Sequence, residues 1–441
     1  MSRTVSFHDL ARLDAGARDA LLARAESDLG PYIDKVRPIL EAVRVEGDVA
    51  LSRFAREFDK APVAPDALAA TPADFAAAAD EVALEVVAAI DYAIDGITRF
   101  HQAQKPEEMW FKEIRPGAFA GDRFTAIPSV ACYVPRGKGA FPSVAMMTTI
   151  PAMVAGVPRV VILTPPGPDG RIDAATLLVA GRVGVAEVYK CGGAQAVAAA
   201  AHGTRTVPRV AKIIGPGSPY VAAAKRLLAD RIDTGTPAGP SESIMLADAT
   251  ANGRIAALDL IVESEHGPDS SAFLVTDSRA VAEAAIAAIP EWWREMGEQR
   301  VQFSSAVLCG PRGGVVLAPD IDAAIDFVND YAPEHLEILS SDPFALLGRI
   351  RHAGEILLGE HTPVTLGNFV LGPNAVLPTG GAARTGSPLS VFDFMKRTSV
   401  GYVTAAGYPT LARHARVLAT YEGFDGHANA VSPLRERARS R

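Results

Sequence analysis

Apolar positions recur at three- and four-residue spacing through ILEAVRVEGDVALSRFAREF (Ile39 to Phe58) and FAAAADEVALEVVAAIDYAIDGITRFHQ (Phe75 to Gln102). That period predicts amphipathic helices, and residues 1–129 read as a helical lead-in that packs with the second α/β unit. From Val130 the pattern changes. The β-branched runs ACYV, VVIL, EVYK and AKIIG alternate with helical stretches such as SVAMMTTIPAMVAG and AQAVAAAAHG, with Gly and Pro at the joints. This predicts βα units around a parallel sheet over residues 130–238. After TPAGPSES a second alternation (SIMLA, AFLVT, AVLCG, LEIL, EILLG) predicts another unit over 239–380. Residues 381–441 read as helical and amphipathic, too short for a core of their own, and so destined for another part of the molecule or a partner subunit. Two α/β units in one chain imply a cleft between them, with ligands outside the carboxyl ends of the strands.

Composition narrows the function classes. The 441 residues are 49% hydrophobic and 21% charged, enough for several buried cores. A formal charge of -8 disfavours a polyanionic partner such as nucleic acid. The leader MSRTVSFHDLARLDAG lacks the apolar core of a signal peptide, and VAMMTTIPAMVAGV is too short to span a bilayer and contains Pro151. A cytoplasmic protein without membrane contact is expected. Cys132, Cys191 and Cys309 are odd in number and far apart, so any metal must be held by imidazole, carboxylate or amide groups.

Four segments could carry chemistry. Gly192–Ala200 (GGAQAVAAA) and Gly215–Tyr220 (GPGSPY) each follow a strand and open a helix, presenting free N–H groups to a phosphate or carboxylate. Neither fits GxGxxG, and an ordinary strand-to-helix joint explains either alone. In ESEHGPDS, Glu263 and His266 are three apart at a helix end, a spacing suited to zinc and equally to a charged helix terminus. In YAPEHLEIL, Glu334 and His335 place a carboxylate beside an imidazole where a buried strand begins, suited to alcohol oxidation or to plain packing. His427 in DGHANAV is similarly ambiguous, and the remaining histidines, His101 among them, read as solvated or capping residues.

Taken together and in this order, CYVPRGKGAFPS, GGAQAVAAAAHGT, DTGTPAGPSE, ESEHGPDS, YAPEHLEI, GPNAVLPTGGAAR, SVFDFMKR and HANAV resemble the landmarks of the histidinol dehydrogenase family, from about Leu40 to Val431. The resemblance implies an α/β fold of two incomplete Rossmann-like domains with parallel sheets, a helical lead-in and a small helical C-terminal domain. It implies a homodimer whose active site is completed by the partner's C-terminal segment, and two successive NAD-linked oxidations, alcohol to aldehyde to acid. By position it makes His335 the general base and Glu334 the residue that activates water. Glu263, His266, Asn368 and His427 become the zinc ligands, Ser241 and Glu422 substrate contacts, and Tyr133, Gln195 and Ser218 NAD contacts.

The departures from the family pattern bear on substrate. Glu263 stands where the family has Gln, and Asn368 where it has Asp, so one carboxylate and one amide survive with their places exchanged. Ala375 replaces a substrate-contacting His, and YVPRGKG adds Arg136 and Lys138, two cations able to face an anionic substrate or a cofactor phosphate. These changes suggest a paralogue that oxidises a different small polar alcohol, such as an amino alcohol or an anionic diol. The alternatives are an authentic L-histidinol dehydrogenase of histidine biosynthesis and a catalytically silent ligand-binding homologue.

Overall fold

The β-branched runs become parallel strands. A computed structural model describes residues 4–24, 29–136, 139–236 and 239–439. Its strands, numbered along the chain, are β1 (Phe7–Asp9), β2 (Met109–Arg115), β3 (Ala118–Ala126), β4 (Val130–Tyr133), β5 (Val160–Thr164), β6 (Glu187–Lys190) and β7 (Lys212–Ile214). They continue with β8 (Glu242–Ala247), β9 (Ser271–Thr276), β10 (Gly313–Leu317), β11 (His335–Leu339), β12 (Glu355–Leu358) and β13 (Met395–Val403). The chain divides into two compact units: one runs to Gln104 and resumes over Ile127–Phe394, the other joins Lys105–Ala126 to the chain from Met395 onward.

The first unit holds two all-parallel sheets, in the order β6-β5-β4-β7 and β1-β10-β9-β8-β11-β12. In the first sheet the chain starts at the inner strand β4, winds outward to β6, then crosses back to β7. In the second, after the edge strand β1, it restarts at the inner strand β8, winds outward to β10, then crosses back to β11 and β12. This leaves a switch point between β4 and β7 and another between β8 and β11, where connections diverge and open a crevice. The strands are buried along their length, as sheets covered on both faces require.

The lead-in, expected on the second unit alone, divides between the two sheets. The stripe Val36, Ile39, Leu40 and Val43 of the helix Gly30–Glu46 joins the core containing Ala196, Val197, Val221 and Ala224, on the helices of the first sheet. The small side chains of AQAVAAAA let the bulky stripe of Gly30–Glu46 seat closely. The earlier part of the lead-in serves the second sheet: β1 pairs with β10, and Leu21, flanked by Leu10, Leu13 and Leu22, packs into the core containing Phe273, Phe327 and Tyr331. The lead-in is also helical only as far as Gln104, because β2 and β3 follow. AVLCG is the end of the helix Glu298–Leu308, and the strand is the following GGVVL.

The second unit is a three-stranded antiparallel sheet, β13-β3-β2, with the helices Tyr408–Tyr421, Asp425–Ala430 and Pro433–Arg439. The expected helical reading fails for MKRTSVGYV, which pairs residue for residue with β3, more than 250 positions earlier in the chain. A partner that distant leaves no trace in local periodicity. Among the described residues, no helix is long and apolar enough to cross a membrane.

Candidate active site

A cavity of about 840 Å³ lies within the first unit, a size suited to a small ligand. Its walls come from opposite ends of the two sheets. Pro135 and Arg136 follow the carboxyl end of β4, and Pro216 to Pro219 follow β7, so this side conforms to the expected geometry. Ser241, Glu334 and His335 instead stand at the amino ends of β8 and β11. The chemistry of the second sheet therefore sits at the end opposite to the one expected from strand polarity alone.

Helix dipoles follow the same division. On the first side, the helix Pro219–Leu227 begins behind Ser218 at the cavity wall, and the helix Gly193–His202 begins behind Gly192, which is outside that lining. Neither has a side-chain cap, and both N-termini carry partial positive charge. Gly215, at φ +111, brings the end of β7 so near β4 that a Cβ would stand 2.2 Å from the Tyr133 carbonyl. On the second side two helices end. Gly253–Ser264 finishes at Glu265, and Ile321–Tyr331 finishes at Ala332, held in the left-handed region at φ 54 before Pro333 turns the chain into β11. Those carboxyl ends favour cations.

Glu263, on the last turn of its helix, is only 1% exposed. Asn368 Nδ2 donates to its Oε1 at 2.8 Å, and His266 Nδ1 lies 3.3 Å from its Oε2. Burial pushes the Glu263 carboxyl up, but the His266 and His335 imidazoles and the hydrogen bonds from Asn368 and Ser241 outweigh it, so it stays below the ordinary carboxylate range. An ionised carboxylate, an imidazole and an amide thus converge, and the donor set suits zinc. Among the described residues, no group of three or more His, Cys, Asp or Glu side chains is arranged to hold a metal, so a metal here needs the Asn368 amide oxygen and a further donor.

Glu334 and His335 are both buried, with Glu334 Oε1 3.9 Å from His335 Nε2. Glu334 Oε2 accepts from the Glu242 N–H at 2.9 Å. Desolvation raises the Glu334 carboxyl to about 8 against the pull of His335. For His335 desolvation works downward, but Glu355, Glu263 and Glu334 together raise it to about 9. Both groups thus hold their own protons more tightly than usual, and at 3.9 Å they stand beyond hydrogen-bond distance of each other. Behind the imidazole, Glu355 Oε2 lies 3.0 Å from His335 Nδ1.

The other expected residues divide. Ser218, Ser241, Arg136 and Ala375 line the cavity, and Arg136 donates to the Arg171 carbonyl at 3.1 Å. Tyr133 and Gln195 are buried beside the Gly192–Gly193 turn, where the Gly193 N–H donates to the Tyr133 hydroxyl oxygen at 3.0 Å. Lys138 lies outside the described residues. Glu422 caps the helix Tyr408–Tyr421 and His427 lies on Asp425–Ala430, both in the second unit. His101 is no solvated residue: it is fully buried on the Ile90, Ala93, Ile97 face of its helix, bonded to Gln104 and to Asn374. Glu355 was missed, although a carboxylate inside the apolar run EILL is a signal in itself.

The family model for histidinol dehydrogenase matches residues 22–435. The chain belongs to the histidinol dehydrogenase family. It is 64% identical to Histidinol dehydrogenase homolog 2 of Mesorhizobium japonicum, over 98% of each chain. It is 45% identical to the histidinol dehydrogenase of Synechocystis sp., over 96% of this chain and 97% of that one. The crystal structure of histidinol dehydrogenase from Elizabethkingia anophelis superimposes with a TM-score of 0.93 at 29% identity, covering 99% of each chain. The two parallel sheets are thus those of a histidinol dehydrogenase, and the Mesorhizobium relative, more similar than the Synechocystis one, carries the name homolog.

Proposed function

We propose that the protein is a zinc-dependent, NAD-linked dehydrogenase that oxidises a small polar alcohol other than L-histidinol to the aldehyde and on to the acid. The observation that carries this reading is the buried Glu334–His335 pair beside Glu263, His266 and Asn368, in one cavity with the N-terminus of the helix Pro219–Leu227. His335 takes the hydroxyl proton through Nε2 as the carbinol hydride leaves, and in the second oxidation Glu334 takes a proton from the attacking water. NAD, when bound, supplies the hydride acceptor, one equivalent per oxidation, with its phosphates at the turns opening at Gly192 and Ser218. Zinc, when bound by Glu263, His266, Asn368 and the partner's His427, polarises and orients the hydroxyl. Ala375 leaves space where the family pattern has an imidazole, and Arg136, followed two positions on in the sequence by Lys138, supplies positive charge, which supports a different alcohol. The homodimer belongs to the same proposal, with the partner's Glu422 reaching the substrate. Its support is the exposure of Val417, Leu418, Tyr421 and Phe424 in the second unit.

The test is NADH formation by the zinc-loaded protein with amino alcohols, anionic diols and L-histidinol. Turnover of one of the first two classes, lost with chelator and with little on histidinol, supports the proposal. Rapid turnover of histidinol alone would replace it with the authentic histidinol enzyme. No turnover, together with no NAD binding at any zinc load, would replace it with a silent homologue.

A further inference from the structure

The His335 imidazole has two nitrogens, and the proposed chemistry uses one. Nε2 faces Glu334, whereas Nδ1 points into the sheet, where β12 supplies a carboxylate in register: His335 pairs directly with Glu355. Glu355 Oε2 stands 3.0 Å from Nδ1, both side chains are more than nine-tenths buried, and Oε1 has no hydrogen-bond partner. A carboxylate in an apolar strand is costly to desolvate unless something compensates it. The seat is also shaped from the other side. In the helix Val364–Phe369, Gly367 packs so closely that a Cβ there would stand 2.7 Å from Glu355 Oε1 and 2.9 Å from Oε2.

We infer that Glu355 is the positioning residue of the proton acceptor: its carboxylate accepts the Nδ1–H of His335, fixing the tautomer in which Nε2 carries the lone pair that faces the substrate. A neutral imidazole alone in this pocket could carry its proton on either nitrogen, and only one tautomer can take a proton at Nε2. The anion also stabilises the imidazolium formed when the alcohol proton arrives, as an orienting carboxylate does behind other catalytic histidines. Glu263 and Glu334 add negative charge around the same ring without touching Nδ1, so they cannot choose between its nitrogens. Glu355 does not contact the reacting atoms and acts through His335. The inference rests on the reading of His335 as proton acceptor.

Nitrogen-15 NMR of the zinc-loaded, histidine-labelled full-length protein tests it, with the His335 signals assigned from His335→Gln. The wild type should show Nδ1–H throughout the range where the ring is neutral. Glu355→Leu, which suits the apolar strand, should let the Nε2–H form gain at least an equal share. It should also lower kcat on the alcohol found by the NADH screen about tenfold or more, with KM changed less than about threefold. Gly367→Ala should move the tautomer the same way while leaving both partners present. A wild-type Nε2–H tautomer, or a folded Glu355→Leu protein that keeps Nδ1–H, would overturn the inference, as would kcat and KM worsening together with the tautomer unmoved. The tautomer is read without substrate, so failure of this inference and failure of the proton-acceptor reading are separable.

Discussion

Two buried acid clusters in the second sheet behave differently because only one has a cation. Around His335, the imidazole offsets the desolvation of Glu334 and Glu355, and its Nε2 is the atom that the proposed chemistry needs as proton acceptor. Replacing His335 with Ala should therefore lower the rate of hydride removal by roughly 100-fold or more, measured as single-turnover NADH formation; a rate near wild type would remove it from the chemistry. Farther along β11, Glu337 faces Asp259 with no cation and without a well-formed hydrogen bond to either Glu337 oxygen. Burial, together with the Asp259 charge, raises Glu337 to about 10, and burial raises Asp259 to about 6. An acid whose folded pKa is raised is neutral and tolerated at low pH; its cost grows as the pH climbs from the ordinary carboxylate value towards the raised one, and is fully present above it. Asp259→Asn should accordingly stabilise the protein at about pH 8 by on the order of 2 kcal/mol, and by almost nothing at about pH 4. An equal gain at both pH values in thermal unfolding would mean that the ionised carboxylate is not the source of the cost.

At the scale of elements, the cavity is built from the carboxyl ends of one sheet and the amino ends of the other, so helix N-termini meet helix C-termini across it. The second side demands a cation, and the exchange of acid and amide between positions 263 and 368 keeps its charge constant. Glu263→Gln and Asn368→Asp should each weaken zinc affinity, whereas the double variant should recover most of it; strictly additive losses in a zinc titration would end the compensation argument. The first side depends on close approach at Gly215. Gly215→Ala, with its methyl forced towards the Tyr133 carbonyl, should weaken NAD binding at least tenfold by calorimetry while leaving zinc content unchanged. Much of this was legible in the chain. Alternating runs announced the parallel strands, and Glu263, His266, Glu334 and His335 announced themselves by adjacency to helix ends. Strand polarity at the site was not legible, because periodicity tells where a strand lies and not which end faces a cleft. Nor was the pairing of β13 with β3, or of His335 with Glu355, since both join residues remote in sequence through sheet register. His101 was misread for a related reason: a histidine on a buried helical face looks local until Asn374, 273 positions away, supplies its partner.

For the whole molecule, the proposed zinc site raises the question of where a fourth donor would come from. Glu263, His266 and Asn368 lie in the first unit, whereas His427 belongs to the second, whose small antiparallel sheet leaves Trp110, Phe111 and Tyr402 exposed, alongside Leu418 and Tyr421 on its helices. An exposed apolar surface of that kind is a liability for a single chain and an interface for two. If the partner's His427 completes the site, a dimer contains two composite sites, and two defective chains can restore one of them. His266→Ala and His427→Ala should each bind almost no zinc alone. After the two are unfolded together and refolded at equal concentrations, about half of the dimers are mixed by random pairing. Each mixed dimer has one site carrying both lesions and one carrying neither, so the mixture should recover about a quarter of the wild-type tight zinc sites. Recovery near that level also predicts return of NADH formation in the same proportion. If each chain builds its site from its own His427, every site in every dimer keeps one lesion, and mixing recovers nothing.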